Sequence, residues 1–136
     1  MFFALWPDEV LQAALAAVMR DTVEKSGGRA VPAENYHVTL AFLGSVPEVE
    51  IPKVVSIGNE VAGKVAREPV RVLLDQIEYW TKARVLCLTT GETQGGGEGQ
   101  SAALLAEMLK VHLTTAGFTP DLKPFRPHVT LARKAG

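Results

Sequence analysis

At 136 residues the chain is one domain by length, large enough for a real core. Hydrophobic residues make up 47% and charged residues 21%, with a formal net charge of −1. This is the composition of a soluble globular protein, and it excludes the broad basic surface of a protein that grips nucleic acid along its backbone. Any RNA contact is therefore expected to be local, at a strand end. The one cysteine, Cys87, excludes an internal disulfide and fits a reducing, cytoplasmic compartment. No apolar run nears the roughly 20 residues of a membrane span, and no basic segment precedes the apolar N-terminus as in a signal peptide.

In chain order, residues 2–6 (Phe-Phe-Ala-Leu-Trp) read as a short apolar strand. Pro7-Asp8-Glu9 signals a helix start, and the helix runs to about Lys25. Val10, Leu11, Ala14, Leu15, Val18 and Thr22 recur at helical spacing and are expected to form its buried stripe. Gly27-Gly28 end the helix, and residues 29–34 read as a polar loop. A strand follows and is closed by Gly44. After a loop over 45–50, Ile51 to about Ala66 reads as a second helix, with Val54, Val55, Ile57, Val61 and Val65 largely on one side. Pro69 to Trp80 switches to period two, and Thr81-Lys82-Ala83 turns it into a partner strand over Arg84–Thr90. Cys87 is a residue of that strand.

Gly91–Gln100 holds five glycines in ten residues and reads as a surface loop. It lacks the spacing and the Lys-Ser/Thr ending of a phosphate-binding P-loop. Ser101 is expected to cap a third helix to about Thr115, with Leu104, Leu105, Met108, Leu109 and Leu113 inward and Gly117 at its end. Thr119–Pro127 is a proline-bearing connector into the last strand.

The informative feature is a repetition. His37-Val38-Thr39-Leu40 recurs as His128-Val129-Thr130-Leu131, 91 residues later (128 − 37), in a chain with three histidines. Each copy has the β-branched make-up of a strand. Alternation then puts His37 with Thr39, and His128 with Thr130, on one face, while Val38, Leu40, Val129 and Leu131 anchor the other on a core. Two such strands facing each other would set two imidazoles and two hydroxyls around one cleft. Histidine titrates near pH 6.5, so one imidazole can accept a proton while the other donates one. The threonine hydroxyls can donate to phosphoryl oxygens as charge builds there. A structural, hydrogen-bonded histidine is the plainer account of either copy alone, but it leaves the repetition of the polar face unexplained.

The third histidine is set apart by its element. His112-Leu113-Thr114 also spells His-x-Thr, but residues two apart on a helix face away from each other. His112 is thus expected at the rim or surface. Two histidines without Cys or acidic ligands at suitable spacing make a poor metal site, so neither metal nor cofactor is expected.

The doubled motif resembles the two-histidine (2H) phosphoesterases. Its flanks, Phe2-Phe3-Ala4-Leu5-Trp6-Pro7, Asn35-Tyr36-His37-Val38-Thr39-Leu40-Ala41-Phe42-Leu43-Gly44 and Phe125-Arg126-Pro127-His128-Val129-Thr130-Leu131-Ala132-Arg133, are similar to the RNA 2',3'-cyclic phosphodiesterase and 2'-5' RNA ligase family. The element order and the resemblance together lead to an α+β fold: two pseudo-symmetric lobes of antiparallel-rich sheet, with outer helices around a central cleft. Residues 1–136 are expected to form a single 2H phosphoesterase domain. Members of the family usually continue past the second motif with further strands, whereas this sequence ends at Lys134-Ala135-Gly136. It is therefore expected to lack C-terminal strands and to leave a motif strand with an open edge.

The resemblance implies hydrolysis of RNA or nucleotide 2',3'-cyclic phosphate ends to 2'-phosphomonoesters. In it His128 is the proton acceptor, His37 the proton donor, and Thr39 and Thr130 the holders of phosphoryl oxygens. The residues alone leave the acid and base assignment open. Arg126, two before His128, is a further phosphate-contact candidate or an exposed loop charge. Tyr36 and Trp80 are either base-stacking rings or core. The alternatives are 2'-5' RNA ligation at the same site, or a non-catalytic module that binds RNA ends or cyclic phosphates. No obligate protein partner and no membrane association are expected.

Overall fold

Among the described residues, β-strands form two sheets and three α-helices pack with them. The computed structural model describes residues 1–65, 70, 72–90 and 100–134. The elements are β1 (Phe2–Leu5), α1 (Glu9–Lys25), β2 (Arg29–Ala30), β3 (Val38–Phe42), α2 (Ile51–Val65), β4 (Gln76–Trp80), β5 (Val85–Thr89), α3 (Gln100–Thr115) and β6 (His128–Arg133). β1 pairs with β3, and a separate sheet has the order β2-β6-β5-β4. This is an α+β fold with antiparallel sheets. The chain divides into two compact units, one of Met1–Ala4, Thr39–Leu73 and Thr93–Arg126, the other of Leu5–Val38, Leu74–Glu92 and Pro127–Gly136.

In the first unit, Leu43 donates to the Met1 carbonyl and the amino terminus to the Gly44 carbonyl. The start of β1 thus lies against the end of β3, and the pair is antiparallel. α2 and α3 pack on each other. Val54 and Val61 of α2, and Leu105, Ala106, Leu109 and Leu113 of α3, are buried, at the three- and four-residue steps of a helical stripe. Gly58 is on α2 for a steric reason, since a Cβ there would run into the Phe3 ring of β1. Gly117 ends α3 at φ +96°, with Phe118 donating to the Leu113 carbonyl, a left-handed C-cap that glycine adopts without strain.

In the second unit, Asp8 caps α1 by accepting from the Leu11 amide at 2.8 Å, a bond worth about 1 kcal/mol. Gly27 at φ +72° ends the helix. Thr81–Arg84 joins β4 to β5, with Trp80 opposite Val85 and Arg84 in the left-handed region at φ +54°. β5 is buried along its whole length. It pairs with β6 through a bulge: Cys87 faces Thr130 and Leu86 faces Ala132, which leaves Leu131 as the extra residue.

Several expectations need correction. Val10, Leu11, Ala14 and Val18 are exposed, Val10 at 80% and Val18 at 71%. α1 instead buries Gln12 and Val23, with Leu15, Met19 and Thr22 half-buried. Its alanines and valines ring the helix, so the sequence favours no single face, and the packing chooses. Leu104 of α3 and Val55 of α2 are likewise exposed. α3 starts at Gln100, which places Ser101 inside it rather than at its cap.

Residues 29–34 are more than a loop, since Arg29–Ala30 pair with Arg133 and Ala132, and Ala33–Asn35 form a 3-10 turn. Of the predicted strand Pro69–Trp80, the described residues that form a ladder are Gln76–Trp80, while Pro69 and Arg71 lie outside the described residues. Val72 and Leu74 keep the alternating burial but carry no ladder. The Gly91–Gln100 loop, apart from Gln100, lies outside the described residues, as do Ala66 and Pro69. Among the described residues the two antiparallel sheets hold two strands and four. The open edge expected of a motif strand is absent from β6, which has β2 on one side and β5 on the other. Among the described residues, β3 has β1 as its sole ladder neighbour.

Candidate active site

Both motifs show the same burial sequence. His37 and Thr39 are half-buried while Val38 and Leu40 are buried, and His128 and Thr130 are half-buried while Val129 and Leu131 are buried. The alternation read from the strand pattern therefore holds at both places, although β3 begins one residue after His37.

His37, His128 and Thr130 belong to the same compact unit. Thr39, two residues along from His37, opens a segment counted with the other unit. Arg126 is exposed and precedes β6, so strand alternation does not reach it. His112 stands apart on α3, half-buried, its Nδ1 2.9 Å from the Met108 carbonyl, with Thr114 exposed.

The first histidine is held from behind. Its Nδ1 lies 2.7 Å from the Asn35 carbonyl. A carbonyl oxygen only accepts, so Nδ1 carries the hydrogen, and in the neutral ring the lone pair is on Nε2. Asn35 closes the 3-10 turn in which its own amide donates to Pro32 and the Tyr36 amide to Ala33. The carbonyls of Glu34 and Tyr36, on either side of Asn35, both face the amide nitrogen of Gln12 at 3.4 Å. This explains a glutamine buried within the apolar run Val10–Met19: it steadies the turn that leads into His37. Tyr36 is buried beside it, and burial pushes its phenol above the ordinary tyrosine range.

The second histidine opens β6. Directly opposed residues of an antiparallel pair share a face. Thr89 faces His128 and Cys87 faces Thr130, while Gln76 and Glu78 of β4 continue the same two rows. His128 and Thr130 thus share a face with Thr89, Cys87, Gln76 and Glu78. Thr89 is fully buried and donates through Oγ1 to the Pro127 carbonyl at 2.8 Å, which pins the residue that leads into His128.

Each motif imidazole also lies against a tryptophan. The Trp6 and His37 ring centroids are 4.7 Å apart at 33°, and those of Trp80 and His128 are 4.5 Å apart at 53°. Of the two aromatics offered as base-stacking or core, Tyr36 is core, and Trp80 stands on a motif histidine. Trp6 and Gln12 were missed by the sequence reading. The only signal in the sequence was their place in the flank of the first strand and inside the otherwise apolar run Val10–Met19. Among the described residues no group of three or more His, Cys, Asp or Glu side chains could hold a metal ion, and no helix is long and apolar enough to cross a membrane.

An α+β chain with antiparallel sheets and a duplicated His-x-Thr strand has the build of a two-histidine phosphoesterase. The LigT like Phosphoesterase family model matches residues 5–87, and the chain belongs to that family. It is 35% identical over 108 residues to the RNA 2',3'-cyclic phosphodiesterase of Escherichia coli K12, covering 79% of this chain and 56% of that protein. It is 34% identical over 125 residues to the protein of the same name from Aeropyrum pernix, covering 88% and 66%. The chain therefore spans less than two thirds of these relatives' length. Among solved structures, E. coli LigT complexed with 3'-AMP superposes with a TM-score of 0.75 at 30% identity, over 99% of this chain and 72% of that one.

Proposed function

We propose that the chain opens 2',3'-cyclic phosphates at RNA or nucleotide ends by paired histidine acid–base catalysis, leaving a 2'-phosphomonoester. Residues 1–136 work in this reading as one phosphoesterase domain, each compact unit being assembled from three separate chain segments. The observation that carries the reading is the pair of half-buried imidazoles, each opening a His-Val-Thr-Leu strand and both in one compact unit of a LigT-like fold. Two relatives named RNA 2',3'-cyclic phosphodiesterase, and a LigT crystal structure with a ribonucleoside 3'-phosphate bound, support the substrate class.

The step consumes one water and no other reactant. A water oxygen attacks phosphorus while His128 takes its proton. The bond from phosphorus to the 3'-oxygen breaks, and that oxygen receives a proton from His37. The Nδ1 bond to Asn35 leaves Nε2–H of the His37 imidazolium as the acidic edge. Hydroxyls of Thr39 and Thr130 donate to the non-bridging oxygens, and Arg126 supplies a cation for the same phosphate. His128, at the head of its strand, is the base on the water.

The test is incubation with nucleoside 2',3'-cyclic phosphates, and with short RNAs bearing that end, in the presence of a chelator. The expected product is the 2'-phosphate, formed at the same rate with and without chelator. Absence of turnover, loss of turnover in chelator, or a 3'-phosphate product would each overturn the corresponding part of the mechanism.

A further inference from the structure

We propose that Trp6 and Trp80 are positioning residues, each holding one motif imidazole in its working orientation. The proposal rests on the two-histidine reading of the site. The chain has two tryptophans in all, and each one's ring lies against one of the two motif histidines. They reach those places from unrelated elements. Trp6 follows β1 and His37 precedes β3, so the antiparallel pairing sets both at the same end of that ladder. Trp80 ends β4 and reaches the ring of His128, two strands away.

The geometry suits the task. A hydrogen bond at one edge of an imidazole leaves the ring free to tilt about its χ2 bond, and a bulky ring packed beside it restricts that freedom. In the mechanism each histidine alternates between neutral and cationic forms. An indole ring packed at 4.5–4.7 Å and tilted by 33° or 53° tolerates both forms without any exchange of hydrogen bonds. Trp6 is 56% exposed, so its ring contact with His37 is not enforced by burial in a core.

The experiment uses the intact chain with Trp6→Leu, Trp80→Leu, Trp6→Phe and Trp80→Phe. Leucine is expected to lower kcat about tenfold with KM within about twofold, and phenylalanine to restore most of the loss. Methionine replaces leucine at either site if the leucine chain fails to fold, with the same result expected. A second readout needs no turnover. In the Trp80→Phe chain the emission of Trp6 is expected to change with His37→Gln and not with His128→Gln, and the Trp6→Phe chain is expected to show the reverse.

Emission indifferent to the facing histidine would overturn the proposal. So would leucine chains with wild-type kcat, or a rise in KM with kcat kept, which would make the tryptophans walls for the substrate's base. If the parent chain turned over no cyclic phosphate, the hydrolytic reading would fail, and the emission pairs would still decide whether the tryptophans hold the rings.

Discussion

His37 stands one residue ahead of β3, whose described ladder neighbour is β1, whereas His128 opens β6 between β2 and β5. The first imidazole is set by a 3-10 turn, the Asn35 carbonyl and Gln12 on a helix. The second is set by a bulged ladder and by Thr89, a fully buried neighbour on the next strand. Both receive a tryptophan. The same tetrapeptide is thus held by two different supports. What the copies share is the spacing of polar and apolar side chains along a strand, and what differs is how the backbone ahead of each histidine is fixed.

The sharpest way to break this comparison is to remove each imidazole in turn. His37→Ala and His128→Ala are each expected to lower kcat for a nucleoside 2',3'-cyclic phosphate by about 10²-fold or more, with KM little changed. A wild-type rate in either would leave that copy a structural strand only.

Next come the anchors. Leu131→Ala is expected near the top of the roughly 2–5 kcal/mol range for a buried leucine, because it sits in the bulge, wholly buried, between strands on both sides. Leu40→Ala, on a strand with fewer neighbours, is expected near the bottom of that range. Urea denaturation of the two chains measures the difference, and the reverse order would show that the two-stranded ladder is the stiffer support.

The buried polar supports should matter less. Thr89→Val removes the hydroxyl donor to the Pro127 carbonyl and is expected to cost about 1–2 kcal/mol. Gln12→Leu, whose contacts are longer, is expected to cost about 1 kcal/mol. Each is also expected to slow turnover several-fold through its own histidine, measured beside the denaturation curve.

The smallest effect is a pH dependence confined to the first copy. The buried Tyr36 phenol ionises less readily in the folded chain than in the unfolded one. Its contribution to stability is therefore full below the ordinary tyrosine pKa of about 10 and is lost as pH rises above it. Tyr36→Phe should flatten that alkaline decline in a series of urea midpoints, and an unchanged slope would place the effect elsewhere.

Much of the site could be read from the chain because strand alternation is a local property. His-Val-Thr-Leu puts its polar pair and its apolar pair on opposite faces wherever a strand forms, and the burial of both copies follows that rule. Both ends of α1 and the C-terminal end of α3 could be read for the same reason, since Asp8, Gly27 and Gly117 act on the backbone next to them. The buried stripe of α1 could not, because alanine and valine lie all round it and nothing local ranks one face above another. The short β2 was equally hidden, since two residues carry no period and Arg29–Ala30 become a strand only where β6 offers its edge.

The sequence by itself determined the chemistry on offer: two imidazoles and two hydroxyls at a repeated spacing, in a chain of formal net charge −1. Only the tertiary structure decided how the histidines are held, with a tryptophan against each ring, a glutamine behind one and a threonine beneath the other. Each of those contacts joins residues far apart along the chain, so no local pattern encodes it, and packing alone selects the partner.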